Sequence, residues 1–391
     1  MSDTQGVKKA IWILMALSLA AGLFGSILFT ELGQLLNLPS SWLYVIYPHL
    51  GWVSILVGVI ALFVLVQHFR HGLLQRSLVF AYVVVIAGTI FVTNFFVPEV
   101  WLRGHHHTAT FIPVSEADKL LEDDADVFVL EIGGEARAYP RDWMMLPHIA
   151  GDTVGGEDVV MTYCALSNLP LAFSSSIDGE EANLKVVSQV HNNLVMVDTN
   201  SKVMFQQITA STPDNSKTLN SRPGQRMPWR SFKQLYPQGQ VFHVVEKGLF
   251  SLLDKITYAL FVSGLEPHYS GPDPLFPTLN LDDDRLPAKE QIWGINLGGE
   301  QVAFSRNFLE QQPIHNTIVG GEPVVLAWFP EYETLGVFSR RINGNGREIE
   351  VSDINVYGNT RDGKLKRITQ YPHVFWMVWS HWFPDTKVNG W

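Results

Sequence analysis

The sequence predicts three N-terminal transmembrane α-helices followed by an extracytoplasmic α+β, mostly β region made of two tandem degenerate repeats. Three observations carry that expectation. Uncharged apolar runs fill the N-terminal quarter, short strand-like stretches separated by turn residues fill the remainder, and one stretch recurs further along in altered form.

The apolar runs are Ile11 to Phe29, Trp42 to Val66 and Ser77 to Val97. Each is long enough to cross a hydrocarbon core of about 30 Å as a helix. Lys8-Lys9 ahead of the first run also suits a signal peptide. The apolar core is too long for one, however, and two further spans follow. Pro48-His49 interrupts the second run near its start, where a neighbouring helix or the interface must cover the freed backbone groups. Lys8 and Lys9 precede the first run and Arg70 and Arg76 lie between the second and third, whereas the first connection carries only Glu31 as a charged residue. Basic flanks stay inside, so the N-terminus is expected in the cytoplasm and everything after Val97 outside. In a bacterium this is an inner-membrane protein with a periplasmic or extracellular C-terminal region.

Of 38 acidic and 28 basic residues, only Asp3, Glu31, Lys8, Lys9, Arg70 and Arg76 precede residue 99, so the acidic excess lies in the exported part. That balance argues against nucleic-acid partners, which need a basic footprint. The expected partners are the lipid bilayer, through the three helices, and a membrane or periplasmic protein. One cysteine, Cys164, cannot form an internal disulfide, and is free, metal-bound or paired with another molecule. A hydrophobic core must therefore hold the exported fold.

Trp101 to Ser115 reads as a connecting segment. Val127 to Ile132, Gly133-Gly134 and Ala136 to Tyr139 predict a hairpin, and Arg141 to Ile149 a short helix. Val154-Gly155-Gly156-Glu157 predicts a turn into a buried strand that ends at Tyr163-Cys164 and opens into Ala165-Leu166-Ser167-Asn168. The stretch from Gly133 to Gly179 aligns without gaps to the stretch from Gly298 to Gly344, with about a third of positions identical. Trp229 to Pro237 and Trp376 to Pro384 match as well, with aromatics at helical spacing ended by proline. The expected organisation is an anchor over 1–98, a first unit over 99–245, a Pro/Asp-rich linker over 246–289 and a second unit over 290–391. Trp229, Phe232, Trp376 and Trp379 recur in both units, which points to core packing.

The second unit places Phe329 where the first has Cys164, and Tyr332 where it has Ser167. The fold therefore does not require a thiol at this strand end, and any chemistry belongs to the first unit. Cys164 is the candidate nucleophile, with the Ser167 hydroxyl beside it and Tyr163 preceding it. His148 is the nearest histidine in sequence and a candidate base, with Asp152 as an orienting group. His105-His106-His107 suits copper or another transition metal, with Cys164 as a further ligand if the fold brings them together. Adjacent histidines on an extended segment face opposite sides, so at most two share one ion. Haem is not expected, because His49 and His68 lie about 28 Å apart along one helix. Asp282-Asp283-Asp284 lacks the spacing of a calcium loop and reads as a solvated turn. No phosphate-loop, dinucleotide, serine-hydrolase or zinc-protease pattern occurs.

Tyr139-Pro140, Gly155-Gly156, Tyr163-Cys164 and the stretch Asp198 to Gln207 resemble the bacterial domain-of-unknown-function family 3179. Its pattern is an Ala-Tyr-Pro segment, a Gly-Gly turn into Tyr-Cys-Pro-Leu-Cys, and a later Asp, Thr, Ser, Trp and Gln series. Asp198, Ser201, Phe205 and Gln207 stand at those later positions, and the resemblance covers roughly 110–391. The family's Cys-x-x-Cys, with selenocysteine in some members, implies thiol-type redox chemistry. Here the second cysteine is Ser167, the proline is Ala165, and the family's His-Glu before the turn looks like Pro147-His148. The resemblance thus implies an extracytoplasmic thiol- or metal-linked redox protein centred on Cys164. The missing second cysteine keeps open a non-catalytic module that assembles a membrane complex.

Overall fold

The computed structural model describes residues 34–389 apart from 73, 74 and 96, together with residues 6, 9, 12, 13, 16 and 17. The first expected span, Ile11 to Phe29, lies largely outside the described residues. The chain divides into two compact units, one of Met1–Trp101 with Phe276–Thr278, the other holding Leu102–Leu275 and Leu279–Trp391.

In the first unit, α1 (Ser40–Arg70) and α2 (Arg76–Phe95) are long and apolar enough to cross a membrane. Gly58 of α1 faces Ile86 and Ile90 of α2, where a larger residue would hold the helices apart. Asn94 donates to Ser54 Oγ at 2.9 Å and to Ile90 O at 2.8 Å, so its amide is satisfied within the pair.

The second unit is mostly β. Its first half runs β1 (Asp126–Ile132), β2 (Glu135–Pro140), α3 (Arg141–Met144), β3 (Ile149–Val154), β4 (Glu157–Cys164) and β5 (Leu169–Ser174). A three-stranded sheet of β6 (Leu184–Val190), β7 (Asn193–Asp198) and β8 (Met204–Gln206) follows, then β9 (Gly224–Pro228), α4 (Trp229–Leu235) and β10 (Gln240–Phe242). Next come α5 (Leu249–Thr257), a π-helical stretch Tyr258–Val262 and α6 (Glu266–Ser270). The second half runs β11 (Gln291–Leu297), β12 (Glu300–Phe304), α7 (Arg306–Gln311), β13 (Ile314–Val319), β14 (Glu322–Phe329) and β15 (Thr334–Ile342). It ends with β16 (Leu365–Arg367), β17 (Tyr371–Phe375), α8 (Trp376–Trp382) and β18 (Lys387–Asn389).

Strand order is the same in the two halves. One sheet is ordered β9–β1–β2–β10 in the first and β17–β11–β12–β18 in the second, and the last strand of each lies parallel to its neighbour. The other is β3–β4–β5 with an edge at Ser221–Arg222, against β13–β14–β15–β16. Glycine pairs with positive φ close the hairpins at 133–134, 155–156, 298–299 and 320–321, the geometry a two-residue turn needs to follow strand twist. Gly155 also packs so closely on Ile132 O that a β-carbon would collide, and Gly320 meets Leu297 O in the same way.

Trp229 and Phe232 of α4, and Trp376 and Trp379 of α8, are buried at helical spacing. Burying each ring contributes on the order of 2–3 kcal/mol relative to leaving it in water. The halves join where β5 and its preceding turn meet β17: Phe375 N donates to Ser167 O at 3.1 Å, and Gln370 Nε2 bridges Gly224 O and Leu335 O.

Three local expectations need correction. The helix expected from Arg141 to Ile149 stops at Met144, because His148 turns into the left-handed region (φ 57°) and Ile149 starts β3. The connecting segment from Trp101 is tied down, with His105 bridged to Ala150 and a short strand Phe111–Pro113 paired to β10. The stretch 246–289 is not purely a linker, since its apolar residues at helical spacing form α5.

Candidate functional site

β4 is buried from Val159 to Cys164, and the return turn through Asn168 is buried too. Asn168 makes that turn possible by taking φ 56°, a conformation asparagine tolerates better than most residues. It is pinned on all sides. Its Oδ1 accepts from Tyr163 Oη at 3.2 Å and Arg226 Nη2 at 3.1 Å, its Nδ2 donates to His373 O at 2.9 Å, and its carbonyl accepts from Arg226 Nη1 at 3.1 Å. The other side of Arg226 engages Asp126. Burial raises the Asp126 carboxyl, but the guanidinium outweighs it and holds the carboxyl below its usual range.

Cys164 is 3% exposed. Burial pushes its thiol above the ordinary range, opposed by the Ser167 hydroxyl and by the backbone N–H groups of Ser167, Leu166 and Leu194. Its sulfur lies 3.8 Å from Asn192 O, an acceptor for its proton. The surroundings are not hydrocarbon alone, for the Ser167 hydroxyl donates to the Cys164 carbonyl at 3.5 Å. A neutral thiol is a weak acceptor, whereas a thiolate attracts a nearby hydroxyl or N–H more strongly.

Behind the sulfur runs a buried polar chain. Asn193 Nδ2 donates to Ser167 Oγ at 3.1 Å and to Gln207 Oε1 at 3.0 Å, and Gln207 Nε2 donates to Thr162 Oγ1 at 2.9 Å and Leu169 O at 3.1 Å. Asn193 Oδ1 accepts from Gln206 Nε2 and Ile208 N, so its amide is satisfied at both ends. In front, α6 covers the turn. Tyr269 Oη donates to Ala165 O at 2.8 Å and stands 3.2 Å from Tyr163 Oη, while His268 Nε2 donates to Leu166 O at 3.0 Å. Lys289 Nζ donates to His268 Nδ1 at 2.9 Å. Burial, with Lys289 adding to it, lowers His268 to about 4, and burial lowers Lys289 to about 8. Both phenols stay protonated, since burial raises Tyr163 well above its usual value and Tyr269 to about 12.

The other sequence candidates stand elsewhere. His148 Nδ1 is buried without a hydrogen-bond partner among the described residues, and burial lowers the ring to about 4. Asp152 binds Arg137 Nε at 2.5 Å, so its carboxylate is committed to that guanidinium rather than to orienting His148. His106 has both ring nitrogens engaged, Nδ1 accepting from Leu184 N at 2.9 Å and Nε2 donating to Ser175 Oγ at 2.5 Å. His105 Nδ1 pairs with Thr108 Oγ1 at 2.9 Å, and His107 is exposed beside Glu181. His105 bridges Ala150, which pairs with Met161, three residues or about 10 Å back along β4 from Cys164. The three histidines and the thiol are thus not gathered together. Among the described residues, no group of three or more His, Cys, Asp or Glu is arranged to hold a metal. His106, His107 and Asp152 instead border one polar surface cavity of about 790 Å³, which Asp158, Glu181 and Arg222 also line.

Residues 97–386 match the model of a family described as "Protein of unknown function (DUF3179)". The chain belongs to that family. No curated protein and no solved structure matches it. Within this DUF3179 chain, Gln207 is a sequence-motif residue whose place is now explained, as the middle of the polar chain behind Ser167. Asn168, Asn193, Arg226, His268 and Tyr269 were not legible as site residues. A polar residue in a run that is otherwise buried is the one signal that marks Asn193, and a turn position after the strand marks Asn168.

Proposed function

We propose that the chain is a membrane-anchored extracytoplasmic protein of two sibling modules, the first carrying a covered single-thiol redox site at Cys164. The anchor occupies 1–98, the modules 99–245 and 290–391, and 246–289 joins them. The common strand order and the matched glycine turns support duplication. The helices Ser40–Arg70 and Arg76–Phe95 support anchoring, and the basic flanks support an exported C-terminal region.

The observation that carries the thiol reading is the buried polar chain from Ser167 through Asn193 to Gln207 behind Cys164, at a strand end where the other half has Phe329. At rest the site is closed by Tyr269 and His268 and the thiol is protonated. Once that cover moves, Cys164 deprotonates beside the Ser167 hydroxyl, and the thiolate attacks the disulfide of a periplasmic or membrane partner. A mixed disulfide forms, and the partner's second sulfur leaves as a thiolate. Cys164 is the only cysteine, so an external thiol must release the partner. Ser167 and Tyr163 position the sulfur. His148 and Asp152 have weaker support as acid-base groups, and so does a copper site at His105, His106, His107 and Cys164.

Alkylation of the full chain by iodoacetamide across pH 6 to 9 tests this reading. The expected result is slow labelling of the native protein that rises severalfold in Tyr269→Ala while tryptophan fluorescence stays native. A second reading, a non-catalytic scaffold or assembly subunit of a membrane complex, is favoured by the low exposure and raised pKa of the thiol. Labelling that needs denaturant in both proteins would establish it and end the redox proposal. Metal content that is equal in wild type and Cys164→Ser removes Cys164 as a ligand.

A further inference from the structure

The helix α5 is built inside out. Leu249, Leu252 and Ile256 fall at i, i+3 and i+7, the stripe that normally faces a core, yet they are 68, 54 and 40% exposed. Phe250, beside that stripe, and Val245 and Tyr258, flanking the helix, are also exposed. Among the described residues after Leu102, only Leu120, Leu275, Leu281 and Ile318 are other large apolar side chains exposed in this way. Scattered single residues of that kind are ordinary, whereas a continuous stripe of them marks an interaction surface.

The polar face of the helix is the one turned to the protein. Its Asp254 pairs with Arg103, as does Glu246 ahead of the helix, the guanidinium also lies 5.1 Å from the centre of the Phe250 ring, and Thr257 is buried. Chain length bounds how far this helix can stand from the end of α2. Arg103 follows Phe95, the end of α2, by eight residues, which reach at most about 28 Å when extended. A helix tied to Arg103 is therefore leashed to the end of an apolar helix long enough to cross a membrane. Exposed Lys247 and Lys255 suit lipid headgroups beside the apolar stripe.

We infer that α5 lies in the outer surface of the lipid bilayer, with Leu249, Leu252 and Ile256 set into the boundary between headgroups and acyl chains. This rests on the reading of α1 and α2 as membrane spans. Site-directed spin labelling of the full chain tests it, in a Cys164→Ser background reconstituted into nanodiscs of phosphatidylcholine and phosphatidylglycerol. Single cysteines are placed at Leu252, Ile256, Leu120 and Val84, and each nitroxide is read for collision with oxygen against a water-soluble nickel chelate. The expected result is oxygen-dominated collision at 252 and 256, at a shallower depth than at 84, with 120 in water. Labels at 252 and 256 that behave like 120 while 84 stays deep overturn the inference and leave the spanning helices standing. Labels at 252 and 256 shielded from both reagents overturn it in favour of a protein partner or a second copy. A label at 84 in water removes the membrane reading itself, and the inference with it.

Discussion

Acid should loosen this fold through His106 before carboxylate protonation dominates. The ring is 4% exposed and lies between two committed partners, with Nδ1 accepting from Leu184 N–H and Nε2 donating to Ser175. Protonating Nδ1 sets a new N–H against an existing one and charges a buried ring. Burial first, and the neighbouring His107 second, lower the group from 6.5 to about 4. In the window between those values the unfolded chain binds more protons than the folded one. Stability is therefore intact above the unfolded value and is lost as pH falls towards the folded one. From pH 7 to pH 5 this single group removes about 2 kcal/mol, an order-of-magnitude figure from linkage. His106→Asn keeps an acceptor near the Nδ1 position but cannot titrate. Urea unfolding of the full chain in detergent, followed by tryptophan fluorescence, measures both proteins at both pH values. The wild type should lose about 2 kcal/mol more than the variant over that interval. Equal losses would refute the argument, because the charge-free ring would then contribute nothing to acid sensitivity.

Other consequences can be checked in the same way. Arg226→Met removes the guanidinium that satisfies Asp126 and Asn168 together, and should cost about 3 kcal/mol in urea unfolding. Arg226→Lys should recover only part of it, since an ammonium cannot reach both partners in the same fork. Gly155→Ala and Gly156→Ala separate backbone strain from collision. Both positions have positive φ, but only Gly155 lacks room for a β-carbon, so its variant should lose the larger share of thermal stability, by about 1–3 kcal/mol over the Gly156 variant. Alkaline phosphatase fused after Trp391 should be active in a bacterial host, and a fluorescent reporter that folds only in the cytoplasm should be dark there. The opposite pattern would reverse the proposed topology.

How much of this was readable beforehand follows from what each kind of residue reports. Period-two runs and Gly-Gly pairs are local signals, and the hairpins at 133–134, 155–156, 298–299 and 320–321 came out where those residues stand. The aromatic pairs at helical spacing marked α4 and α8, since apolar area decides which face is buried. His148 misled the helix assignment, because left-handed backbone at a histidine has no signature in composition. The site was less legible than the scaffold. Cys164 and Ser167 were visible as a motif, but their surroundings come from residues 192–194, 207 and 268–269, which only tertiary pairing brings near. Asp152 looked like a partner for His148 because it is near in sequence, and Arg137, its neighbour across the sheets, claimed it first.

The tightness of the glycine turns has a practical corollary. Hairpin tips are the usual places to graft epitopes, because most of them project into solvent with slack around them. In this molecule Gly133 is set against Gly155, and Gly298 against Gly320, so one loop is the floor of the next. Lengthening either would prise two hairpins apart at once. A graft is better sited at the acidic turn 282–284, whose side chains are largely exposed and whose Asp283 pairs with Arg285 beside it.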